Sequence, residues 1–144
     1  MVPEIMTSET QTPARPRTDA ASRERALECA RAALEKKAEG VKILDLTRLS
    51  GFTDFFVICS GTSDRQVQAI ATSVEQHLES KGAELVNFEG FSDGRWVLMD
   101  FGDVVVHIFL DALRDYYDLE NLWADAPRVS IPAEFYGAGA SNLN

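Results

Sequence analysis

Apolar residues recur at two spacings along the chain, and the two alternate. "SRERALECARAALEKKAEG", from Ser22, sets Ala26, Leu27, Ala30, Ala33 and Leu34 on one stripe, which predicts a helix stopped by Gly40. "VKILDL" (Val41 to Leu46) predicts a strand. After "GFTD", Phe55 to Cys59 are apolar without a break, the pattern of a strand covered on both faces. "GTSDRQVQAIATSVEQHLESKG" returns to helical spacing through Val67, Ile70, Ala71, Val74, His77 and Leu78. Ser63 and Gln66 form a capping box at its start, and Gly82 ends it.

Three strand patterns follow: "ELVNFEG", "RWVLMD" and "VVVHIFL". A short turn through Phe101, Gly102 and Asp103 joins the last two into a hairpin. "DALRDYYDLENLW" is helical, capped at Asp111, with a break near Asp118. The order αββαβββα predicts an α/β domain whose mixed sheet carries packed helices. Residues 1–19 and 127–144 lack periodicity and read as flexible tails around one domain at 20–126.

Charge changes the picture more than composition does. The chain has 144 residues and a net charge of −9. Between Glu84 and Asp125 lie ten acidic residues against Arg95 and Arg114, so this third carries −8 of it. Phosphate-backbone binding needs Lys and Arg to displace counterions, so direct nucleic-acid readout is not expected. An acidic face suits a basic protein partner, although a merely solvated surface fits the composition too. No apolar run is long enough to span a bilayer, and the first twenty residues lack the apolar core of a secretory signal. Cys29 and Cys59 have no C-x-x-C spacing and read as buried thiols in a reducing cytoplasm.

Three chemical readings are weak. Asp100-Phe101-Gly102 is the metal-holding tripeptide of protein kinases, but the Gly-rich loop, strand lysine and H-R-D loop are missing. A glycine turn is the simpler account. "CSGTSD" has the look of a nucleotidyltransferase turn, yet no D-x-D pair accompanies it, and Asp100 and Asp103 flank a turn three apart. A Cys59–His107 pair lacks the electropositive surroundings that a reactive thiolate needs. No metal or cofactor is expected. On "RWVLMD", Trp96, Leu98 and Asp100 share one face, and Val97, Met99 and Phe101 share the other. If Val97 and Met99 meet the core, Trp96 points outward beside carboxylates as a protein-binding anchor. If a helix covers that face, Trp96 is core instead.

"LDLTRLSGFTDFFVICSGTSDRQVQAIA" and "WVLMDFGDVVVHIFLDALRDYYDLENLW" resemble the ribosomal silencing factor family, also called Iojap-like, from about Ala26 to Trp123. The resemblance implies a mixed five-stranded sheet of nucleotidyltransferase-like topology without the catalytic carboxylates. It implies a non-enzymatic translational repressor that binds the large ribosomal subunit through large-subunit ribosomal protein fourteen. There it would block joining with the small subunit under nutrient limitation. Free members are often homodimers. Carried over by motif, the binding surface is Trp96, Leu98, Asp100, Gly102, Asp103, Tyr117 and Glu120. Asp111-Ala112 departs from the Pro-Glu of many relatives. A small nucleotidyltransferase-like enzyme is the alternative.

Overall fold

The computed structural model describes residues 19–142. Its elements are α1 (Asp19–Glu35), β1 (Glu39–Asp45), β2 (Phe55–Gly61), α2 (Asp64–Ser80), β3 (Asn87–Glu89), β4 (Trp96–Asp100), β5 (Val104–Leu110), α3 (Asp111–Tyr117), α4 (Leu119–Leu122) and β6 (Arg128–Val129), followed by a 3-10 segment at Ala133–Asn142. One sheet runs β3-β4-β5-β2-β1-β6. Only the central β2–β5 pair is parallel, and the other four pairs are antiparallel.

The mixed α/β class follows the pattern, with one strand more than the five expected. The addition is β6, where Val129 and Arg128 pair with Ile43 and Leu44 of β1. Residues 127–142, expected to be a flexible tail, therefore begin inside the sheet. Ile131 then packs against the core, and the Arg31 guanidinium lies 4.1 Å from the Phe135 ring centroid. Two residues are too few to show a period of two, so the pattern could not announce this strand. Of residues 1–19, expected to be the other tail, Asp19 opens α1 and the rest lie outside the described residues.

Helices cover both faces of the sheet. On one face Ala26, Cys29, Ala30 and Ala33 of α1 and Val67, Ile70, Ala71, Val74 and Leu78 of α2 pack on Ile43, Val57, Val97, Val106 and Ile108. Each large aliphatic buried there contributes roughly 1.5–3 kcal/mol. The Ser63 hydroxyl accepts from Gln66 N at 3.1 Å and caps α2 as expected. The Gln66 side chain reaches back to Thr62 N at 2.7 Å rather than to Ser63. α1 ends earlier than Gly40: Lys37 takes φ +63, and Ala38 N donates to Ala33 O. That is the closing bond of a left-handed C-cap. The other face carries a smaller cluster. Leu44, Phe56, Ile58, Leu98, Val105 and Phe109 of the sheet, with Leu46 just after β1, lie under Leu119 and Ala126, with Trp96, Tyr117 and Trp123 at the margin.

Candidate functional site

The hairpin turn is built from its own polar groups. Asp100 Oδ1 accepts from Gly102 N at 2.7 Å, and Phe101 N donates to Val104 O. Gly102 sits at φ +93, where a side chain would be strained. Asp103 turns inward: it is 4% exposed, and its Oδ1 accepts from Arg25 Nη1 of α1 at 2.8 Å. Its carbonyl accepts from Asp54 N and Phe55 N. Asp54 Oδ2 in turn accepts from the Ser22 hydroxyl at 2.9 Å. The aspartates of "GFTD" and "DFGD" thus fasten the start of α1 to two loops. Among the described residues no cluster of three His, Cys, Asp or Glu could hold a metal ion.

Beside the turn lies an aromatic cluster. Trp96 faces Phe109 across the β4–β5 pair, with ring centroids 4.9 Å apart, and Tyr117 of α3 closes on Trp96 at 4.5 Å. Trp96 Nε1–H donates to His107 Nδ1 at 3.1 Å. His107 is fully buried, and burial pushes its pKa down to about 3, so the ring is neutral. With Nδ1 accepting, the proton rests on Nε2. Among the described residues, that Nε2 and the buried Trp123 Nε1 have no hydrogen-bond partner. Both rings stand edge-to-face to Phe56, at 4.6 and 5.7 Å.

Outside this cluster runs the corner α3–α4. Asp118 is left-handed (φ 48, ψ 47) and ends α3 before α4 begins. Asp111, Asp115, Tyr116, Asp118, Leu122 and Asp125 are exposed, Tyr116 by 78% and Leu122 by 70%. Two large apolar side chains thus stand among carboxylates. They are the two most exposed large apolar side chains among the described residues, and apolar surface rimmed by polar groups is what interaction sites present.

The seven expected binding residues divide. Trp96 and Tyr117 meet at the margin of the aromatic cluster, half-buried. Gly102 is half-buried at the turn. Leu98 is fully buried, and Asp100 and Asp103 are 5% and 4% exposed, so the outward reading of this strand face is corrected. Tyr117 of α3 and Leu119 of α4 join Leu98 and Trp96 in one cluster on that face. Glu120 is also occupied: its two oxygens accept from Arg114 Nε and Nη2, each at 3.0 Å. That guanidinium, ahead of the cost of burial, holds the Glu120 carboxyl below its ordinary value of 4.5. Sequence reasoning missed Tyr116, Leu122 and Arg114. The signal was the left-handed residue at Asp118, which resets the helical phase so that no single wheel sorts residues 111–123.

Cys29 and Cys59 are buried free thiols, Cys59 with its pKa pushed up to about 12 by burial. Neither is a nucleophile in this setting.

A family model described as "Ribosomal silencing factor during starvation" matches residues 19–142. The Bacillus subtilis protein "Ribosomal silencing factor RsfS" is 46% identical over 97 residues, 67% of this chain and 82% of that one. A crystal structure of a Chromobacterium violaceum protein superposes with a TM-score of 0.70 at 38% identity, covering 76% of this chain and 90% of that one. "Mitochondrial assembly of ribosomal large subunit protein 1" from mouse is 33% identical over 92 residues, 62% of this chain and 40% of that one.

Proposed function

Since the chain belongs to the ribosomal silencing factor family, we propose that it represses translation by binding the large ribosomal subunit and sterically blocking its joining with the small one. It acts as a regulatory factor, not an enzyme. Its contact is large-subunit ribosomal protein fourteen, and the setting is nutrient limitation in the cytoplasm. The free chain is a homodimer.

One observation carries this reading: the exposed Tyr116 and Leu122 stand among Asp111, Asp115, Asp118 and Asp125 on a corner packed against the sheet. Truncating a hot-spot tyrosine at an interface costs about 2 kcal/mol or more, Leu122 extends the apolar contact beside it, and the carboxylates steer a basic partner onto both. The name of the mouse relative links that protein to the large subunit, which supports the choice of subunit.

Sucrose gradients at low magnesium test the proposal. Added protein should co-sediment with isolated large subunits, leave small subunits unbound and reduce the joined peak. Unchanged joining at several-fold molar excess would sink it. Magnesium-dependent turnover of a nucleoside triphosphate would instead favour the nucleotidyltransferase-like alternative.

A further inference from the structure

Arg114 lies beneath the corner that carries the exposed side chains, and every N–H of its guanidinium is used. Nε and one hydrogen of Nη2 hold Glu120 bidentately at 3.0 Å. The other hydrogen of Nη2 goes to Gly40 O at 2.7 Å. Nη1 reaches Glu39 O at 3.3 Å and Ser60 Oγ at 3.2 Å. One side chain thus ties α3, α4, β1 and β2 together, at 9% exposure.

The socket is made for this group. β1 shifts register between Glu39 and Lys42, and the irregularity turns two carbonyls toward the guanidinium. Gly40 sits at φ +57, and a Cβ there would lie 2.7 Å from Nη1. Glycine therefore leaves the space that the guanidinium fills.

We propose that Arg114 is the positioning residue of the docking face, clamping Glu120 so that Tyr116 on α3 and Leu122 on α4 keep one fixed relation across the Asp118 bend. This rests on the docking role proposed above. The clamp is needed because the two helices are short, seven and four residues. Helices of that length do not hold themselves. The bend and the buried Leu119 hold the start of α4 against the sheet, and a bidentate fork fixes its direction as well as its distance. Lysine cannot reproduce it, being a single point of charge.

The test compares wild type, Arg114→Met, Arg114→Lys and Gly40→Ala with Val74→Ala, a core change in α2 remote from the face. Melting temperature is measured first; affinity for isolated large subunits and amide exchange in residues 111–123 are then read below the melting transition of each variant. Arg114→Met and Gly40→Ala should lose tenfold or more in affinity and speed exchange at 111–123, while β2 and β5 stay protected. Arg114→Lys should fall between. Val74→Ala should melt earlier yet bind as wild type does. Wild-type affinity in both Arg114 variants, once folded, would reduce Arg114 to a stabilising residue and overturn the proposal. So would unchanged exchange at 111–123. If wild type itself fails to bind, the docking role falls and the positioning role with it. The exchange data would then still show whether Arg114 orders the corner.

Discussion

Arg25 Nη1 stands 2.8 Å from Asp103 Oδ1, joining the first helix to the hairpin turn across 78 positions of sequence. The carboxylate is nearly enclosed, its side chain 6% exposed against 34% for Arg25. Asp103 is therefore an internal latch and not a charge offered to a partner. Asp103→Arg should set two cations against each other there. Breaking a buried pair costs about 3–5 kcal/mol, and the partial exposure of Arg25 lowers this to about 2–3. Urea unfolding measures it, and adding Arg25→Asp should recover part of the loss. A midpoint unchanged in Asp103→Arg would return Asp103 to the surface.

His107 should make the fold acid-sensitive. Its pKa is about 3 in the folded chain against an ordinary 6.5. The unfolded chain therefore binds the extra proton first as pH falls. This contribution is whole above pH 6.5, declines on acidification, and is gone below about pH 3. It amounts to a few kcal/mol at most. His107→Gln should be less stable at neutral pH but show a flatter decline between pH 6.5 and 4, and chemical denaturation across that range compares the slopes. Equal slopes would mean that His107 is not the group titrating.

Trp96 should matter to folding as well as to docking. Trp96→Phe keeps a ring against Phe109 and Tyr117 but removes the donor to His107 Nδ1, and should cost about 1–2 kcal/mol. Trp96→Ala also empties ring volume at a half-buried site, and should cost about 2–3 kcal/mol, less than a fully buried Trp. Thermal melts separate the two. Equal, negligible losses would show the indole to be a free surface anchor after all.

The exposed corner should behave oppositely. Tyr116→Ala and Asp115→Arg should melt within about 0.5 kcal/mol of wild type, as surface changes do. Large-subunit affinity should fall roughly thirtyfold for the tyrosine, which is about 2 kcal/mol. Asp115→Arg should bind weakly at low salt and approach wild type as salt rises, because exposed charges are screened over about 10 Å at 0.1 M. Co-sedimentation across a salt series checks both. Undiminished binding by the two variants would move the docking face elsewhere.

Much of the framework was legible because it is local. The stripe Val67, Ile70, Val74, Leu78 with Ser63 at its head announced α2, and the unbroken run Phe55 to Cys59 announced a strand buried on both faces. The break at Asp118 was legible too. The site was less so. Leu98 alternates correctly with Val97 and Met99, but alternation cannot say that a later segment will roof the second face. The Arg25–Asp103 and Arg114–Glu39 contacts, 78 and 75 positions apart, leave no trace in local spacing. Tyr116 and Tyr117 are neighbours of one kind, and only the packing of α3 decides that one is exposed and the other covered.

The sheet is clothed unequally. Two helices of seventeen residues lie on one side, and a corner of seven and four residues on the other. The thin side holds the nitrogens of His107 and Trp123 that have no partner among the described residues. A partner seated on that corner would become a second wrapping over the sparsest insulation in the molecule. Its grip would then be felt through the sheet as well as at the contact, since whatever binds only the folded chain raises its melting temperature by mass action. Opening of the backbone amides of β2 and β5, on which α3 packs, would slow in the bound state more than that of α2 on the far side.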